Sequence, residues 1–221
     1  SIPGAFNALN HQRTDANWDL SALARYTPDA QTRLEAGYSR KARSPNLYER
    51  YTWSTNNNMV MNMINWVGDA NGYVGNINLK PEVAHTVSAT ADWHAAERQQ
   101  WGLQATAYTT FVEDYIDAVS CATVGKVCPA RTDKFVNLSF ANQSARIAGL
   151  DLSGYRMLAQ TQGWGSFTLT GMLSALKGKN GTTDDTLYNT MPLNAKLALV
   201  QRVGGWSNTL EAQWVDAKSD V

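Results

Sequence analysis

The sequence predicts an all-β chain, an antiparallel up-and-down transmembrane β-barrel of which about eight strands are present. Three observations predict it. Apolar and polar residues alternate with period two over long stretches. The connections between those stretches are alternately short and long. Trp and Tyr stand beside the short ones.

Near the start, Trp18, Leu20, Ala22, Ala24 and Tyr26 oppose Asn17, Asp19, Ser21 and Arg25, and Leu34, Ala36 and Tyr38 then oppose Arg33, Glu35, Ser39 and Lys41. From Val83 to Trp93 the odd positions form an apolar face broken only by His85, while Thr86, Ser88, Thr90 and Asp92 share the other. A strand over about 101–117 follows, then one over about 134–158 that is expected to be bent or bulged, with Gly149 as the candidate position. Phe167, Leu169, Gly171, Leu173 and Ala175 face away from Ser166, Thr168, Thr170 and Ser174. Leu193, Ala195, Leu197 and Leu199 stand against Asn194, Lys196 and Arg202. Trp206, Asn208, Leu210, Ala212 and Trp214 stand against Ser207, Thr209, Glu211 and Gln213. Successive side chains of a strand point to opposite faces, so each stretch has one apolar and one polar surface. A strand that crosses a bilayer needs about 9–11 residues, and most of these are that long.

Short connections follow Tyr26, Trp93, Leu158 and Val203; long ones, rich in Asn, Gly, Thr and Pro, span about 43–81, 119–133 and 177–191. Strands of an up-and-down barrel alternate direction, so short turns gather at one end, the periplasmic one in outer-membrane barrels, and long loops at the other. Tyr26, Trp93, Trp101, Trp164 and Trp206 flank the short turns, as an interfacial aromatic girdle requires. A soluble β-sandwich with a Trp-lined carbohydrate site is the competing reading, and it leaves that placement unexplained. The polar face is too polar to fill a small closed barrel and suits the lumen of a large one.

Composition narrows the functions. Lys+Arg and Asp+Glu number 19 each, which gives no basic excess for nucleic acid. Eight Trp and nine Tyr against five Phe favour side chains with an apolar body and a polar tip. No stretch of 18 apolar residues predicts a transmembrane helix. The opening Ser1-Ile2-Pro3-Gly4 has neither an initiator Met nor a signal-peptide pattern, so residues 1–221 are read as an internal or mature stretch, a partial barrel domain. No Ser/His/Asp arrangement, paired-carboxylate site or glycine-rich phosphate loop stands out, and no catalytic cofactor is implied; the chain is not expected to be an enzyme. His11, His85 and His94 are disfavoured as metal ligands: His85 suits an interface, and His94, beside a short turn, is expected to be solvated. Asp184-Asp185 reads as a solvated loop tip.

Cys121 and Cys128 lie in a turn-rich stretch. A disulfide pinning an extracellular loop is favoured over two free thiols, and a zinc site is disfavoured for want of further ligands nearby. Met59, Met61 and Met63 alternate inside the first long loop. In an extended segment their thioethers share one side, and soft thioethers select Cu(I). The alternative is that these Met pack the loop, since Met fills irregular gaps.

The stretch Gly37–Tyr51, with Arg43-Ser44-Pro45-Asn46-Leu47-Tyr48-Glu49 at its centre, resembles a signature of TonB-dependent outer-membrane receptors. Gly75-Asn76-Ile77-Asn78-Leu79-Lys80-Pro81-Glu82 resembles the motif that opens that family's next strand. Val136-Asn137 with Gly149-Leu150-Asp151 resembles a third, with Asp in place of the family's Glu. The resemblance is closest to the copper-receptor branch, given Tyr48–Trp53 and Gly68–Asn76 around the Met cluster. It implies a barrel of about 22 strands, of which this chain is roughly a third, with a plug domain and TonB box elsewhere. It implies an outer-membrane, Gram-negative location, surrounding lipid, an energy-transducing TonB-type partner engaged through the plug, and copper or a metal chelate as cargo. Siderophore uptake, or a passive porin-like or adhesive barrel, are the alternatives. Alone, the strands would leave two sheet edges unpaired, which lipid does not tolerate. In physical terms the motif residues are structural: Pro45 and Pro81 fix φ where strands end, and Glu49 and Glu82 are expected to pair with Arg43, Lys80 or Arg50.

Overall fold

The structure, a computed structural model, describes residues 8–52, 71–121, 136–188 and 190–218. Nine strands and one helix form among them: β1 (Leu20–Asp29), β2 (Thr32–Arg43), α1 (Leu47–Tyr51), β3 (Gly72–Val74), β4 (Glu82–His94), β5 (Trp101–Ser120), β6 (Asn137–Thr161), β7 (Gly165–Asn180), β8 (Asn194–Val203) and β9 (Trp206–Val215). The sheet order is β1-β2-β4-β5-β6-β7-β8-β9, sequential apart from β3, which pairs in parallel with β6. The eight long strands are those expected from the alternation. β3 and α1 lie where the sequence predicted only loop.

The chain forms two compact units. The first comprises Ser1–Asp19, Lys41–Ala84 and Val112–Ser144. Its core is apolar: Tyr73 stacks on Phe140 with centroids 5.7 Å apart, beside Leu79 and Ile116, with Leu138 packed against them. α1 is a single turn and could not persist alone. A capping box starts it: Asn46 Oδ1 accepts from the Glu49 N–H at 2.8 Å, and the Glu49 carboxylate accepts from the Asn46 N–H at 2.7 Å. Pro45, just before the cap, is buried.

The second unit comprises Leu20–Arg40, His85–Phe111 and Ala145–Val221. Its registers confirm the two faces. Leu169 pairs with Leu199 and Leu199 with Leu210, while Met172 pairs with Lys196 and Lys196 with Gln213. The polar face carries ion pairs and hydroxyl pairs: Arg25–Glu35 at 2.7 Å, Arg33–Asp92 at 2.9 Å, Lys196–Glu211 at 3.2 Å and Thr90–Thr106 at 2.9 Å. Exposed ion pairs contribute little stability each, so their value here is to keep that face polar. On the apolar face Tyr38 and His85 meet at 2.8 Å, which satisfies the one imidazole there. Tyr26, Trp93, Trp101, Trp164 and Trp206 are all exposed beside the short turns.

Two expectations are corrected. The irregularity expected in β6 at Gly149 lies elsewhere: pairing with β7 runs unbroken through Gly149–Leu176, and the register shifts instead between Met157 and Ala159. Gly149 instead leaves room for the Tyr108 ring, which a Cβ would strike. His94 is not solvated. Its backbone N–H donates to Gln31 O at 3.0 Å, its ring Nδ1–H donates to Ala95 O at 2.9 Å, and it is buried. Among the described residues no helix is long and apolar enough to cross a membrane, which says nothing of crossing by strands.

Candidate functional site: the loop platform

The first unit gathers Arg43–Glu49 and Gly75–Glu82 into one network. Arg43, at the end of β2, holds two carboxylates. Its Nη1 and Nη2 donate to Glu49 Oε2 and Oε1 at 3.0 and 3.1 Å, and its Nε donates to Glu82 Oε2 at 2.6 Å. The planar fork of a guanidinium suits this two-point grip, which a lysine cannot reproduce. The Glu49 side chain is only 3% exposed, so its charge depends on this partner. Glu82 uses its other oxygen to accept the Ile116 N–H at 2.6 Å. Of the three cations expected as partners for these carboxylates, Arg43 serves both. Arg50 goes elsewhere: its Nη2 donates to Asp15 Oδ1 at 2.7 Å and to Leu79 O at 3.0 Å. That bond to Arg50 holds the Asp15 carboxyl below the usual carboxylate range; burial opposes the shift, and Ser44 adds to it. Lys80 takes part through its backbone. Asn142 accepts from its N–H at 2.8 Å and donates to its carbonyl at 3.0 Å.

The remaining motif residues complete the joint. Asn76 donates through Nδ2 to Phe140 O at 2.9 Å, and its N–H reaches Glu49 O at 2.8 Å. The Gly75 N–H donates to Thr52 O. A Cβ on Gly75 would lie 2.5 Å from Arg50 O and 2.7 Å from Thr52 N, so only glycine fits. Leu79 is core, whereas Leu47 and Tyr48 are exposed.

This platform fixes where two long loops leave and re-enter. Residues 53–70 connect Thr52 to the segment ending at Gly75, and the Thr52–Gly75 bond draws those stems together. The second loop is treated alike: Cys121 N–H donates to Asn137 O at 3.1 Å, Gly72 N–H to Val136 O at 3.1 Å, and Val136 N–H to Asn71 Oδ1 at 3.0 Å. Met59, Met61 and Met63 lie outside the described residues, as does Cys128. Cys121 is buried and is not a free thiol. Among the described residues no group of three His, Cys, Asp or Glu side chains converges as a metal set. Sequence reasoning found the motif residues but missed Asp15, Asn142 and Asn71. Their partners lie 35, 62 and 65 positions away, and a lone Asp or Asn in a loop carries no local signal of that pairing.

Long antiparallel strands with one apolar and one polar face, joined by alternating short turns and long loops, define the wall of a transmembrane β-barrel. The chain belongs to the TonB-dependent receptors: residues 3–221 match the family described as TonB dependent receptor-like, beta-barrel. Solved structures agree in fold. The chain is similar to the copper transporter OprC at 20% identity and TM-score 0.66, over 91% of this chain and 26% of that one. It is similar to the siderophore receptor PirA from Acinetobacter baumannii at 15% and 0.58, over 86% and 27%. It is also similar to the FrpB iron transporter from Neisseria meningitidis at 12% and 0.55, over 89% and 26%. The chain thus spans about a quarter of the length of these proteins. No curated protein sequence matches it.

Proposed function

We propose that the chain is a wall segment of an outer-membrane receptor that takes up copper or another metal species. Energy would reach it from a TonB-type protein acting through a plug domain within the barrel. The family match supports the receptor class. The observation that carries the cargo reading is the Gly75 N–H to Thr52 O bond, which ties together the two described ends of the chain between which Met59, Met61 and Met63 lie in sequence. Holding a loop's ends lowers the entropy lost when it closes on a ligand. Soft thioethers two residues apart suit Cu(I), and copper here is cargo, not a cofactor.

The test is isothermal calorimetry with Cu(I) on the intact receptor and its Met59→Ala/Met61→Ala/Met63→Ala variant. At least a tenfold loss of affinity is expected, and unchanged binding would refute the assignment. A ferric siderophore is the second reading. The similarity in fold to siderophore and iron receptors favours it, and the same titration with a ferric chelate would separate the two.

A further inference from the structure

On β6 and β7 the apolar face of the second unit ends in cations. Ala148 pairs with Lys177, and one step further along Arg146 pairs with Lys179. Faces alternate along a strand, so Arg146, Lys177 and Lys179 follow Leu150, Leu173 and Ala175 on the apolar side. From Phe167 to Ala175 that side of β7 carries no charge, and a stretch of this length is what a tilted strand needs to cross hydrocarbon, about 9–11 residues. The cations begin directly beyond it, at the end joined to the long β7–β8 connection and away from the short turn at Gly163 and Trp164. That is the outer-leaflet end.

Arg146, Lys177, Lys179 and Lys218 border one cleft of about 610 Å³, with Asp216 as its carboxylate. Lys179 is paired to Asp184 at 2.7 Å, but Asp184 is 86% exposed, so the pair is readily exchanged for another anion. Lys218 donates to Tyr188 O and lies 5.2 Å over the Tyr188 ring. Arg146 and Lys177 are exposed, and their side chains make no hydrogen bond or ion pair within the described residues. Cations at the border of the hydrocarbon layer are costly unless anionic head groups meet them. A guanidinium beside ammonium groups offers a fork and point charges, a combination suited to phosphate oxygens.

We propose that Arg146, Lys177 and Lys179 dock the phosphates of an outer-leaflet glycolipid of the lipid A type, whose acyl chains lie along Leu150, Leu173 and Ala175. The inference rests on the outer-membrane reading but not on the cargo. Its test is native mass spectrometry of the intact receptor, purified in mild detergent and incubated with bis-phosphorylated lipid A. Wild type is expected to keep a lipid A adduct that Arg146→Gln/Lys177→Gln loses at least tenfold and Arg146→Lys/Lys177→Arg retains. Dephosphorylated lipid A and phosphatidylglycerol are expected to bind at least tenfold more weakly. Heat-modifiable electrophoretic migration verifies that each variant is a folded barrel; should the double variant fail to fold, Lys177→Gln alone is expected to lose about threefold. Equal adducts on wild type and variant, or equal binding of the dephosphorylated lipid, would overturn the proposal. Copper titration of the same preparations is expected to be unchanged, so failure of the lipid site and failure of the cargo reading are read separately.

Discussion

Arg43 grips Glu49 with both terminal guanidinium nitrogens, at 3.0 and 3.1 Å, and so ties the end of β2 to the single turn of α1. Glu49 caps its own helix with the same carboxylate. One residue therefore serves the strand end and the helix through its carboxylate and, through Asn76 N–H on its backbone carbonyl, the segment that leads into β4.

Removing Arg43 leaves Glu49 buried without its cation. Arg43→Ala is expected to destabilise the platform by about 2 kcal/mol, less than for a wholly buried pair because Arg43 is half-exposed. Arg43→Lys is expected to recover only part, since it restores charge without the fork. Limited proteolysis of the intact receptor reads this directly: cleavage within 53–70 should accelerate in both variants, more in Ala than in Lys.

Gly75→Ala places a Cβ against the backbone of Arg50 and Thr52. Overpacking of this kind costs about 1–3 kcal/mol. The same substitution at Gly163, where nothing lies within reach of a Cβ, is expected to be near neutral. Urea unfolding of the two variants in one lipid system makes the comparison.

Asp15 gives the platform a pH dependence. Its folded pKa lies below its unfolded value, because Arg50 holds the carboxylate charged. The stabilisation is thus fully present above the unfolded pKa, about 3.9, and is lost as pH falls through the lower folded value. Wild type should exceed Asp15→Asn in stability at neutral pH, with the gap closing only below about pH 4. A gap that is constant down to low pH would contradict the pairing.

Cys121 is buried where the chain leaves β5, and a disulfide with Cys128 is proposed. So short a ring is expected to contribute about 2–3 kcal/mol. Maleimide labelling under non-reducing denaturation should find no thiol, and two labelled thiols would refute the bond.

Much of this was legible in the sequence because period-two alternation survives over long strands: Phe167 to Ala175 needs no partner to be read. β3 was not legible, since Gly72–Val74 is too short to show a period and forms through β6, far along the chain. α1 was hidden because its capping signal, Asn46 and Glu49, lies inside a run that also reads as a turn. The burial of His94 was not legible, since its backbone N–H is bound by Gln31, 63 positions earlier in the chain. The pairing of Arg146 with Lys179 escaped notice for the same reason: each is an ordinary surface cation until the register sets them side by side.

Orientation is the claim on which the rest depends, and cysteine accessibility in whole cells tests it most directly. Gln162→Cys lies in a short turn and Asp184→Cys in a long connection. With an impermeant maleimide, Asp184→Cys should label on intact cells and Gln162→Cys only after the outer membrane is permeabilised. Labelling of Gln162→Cys on intact cells, with Asp184→Cys protected, would contradict the account.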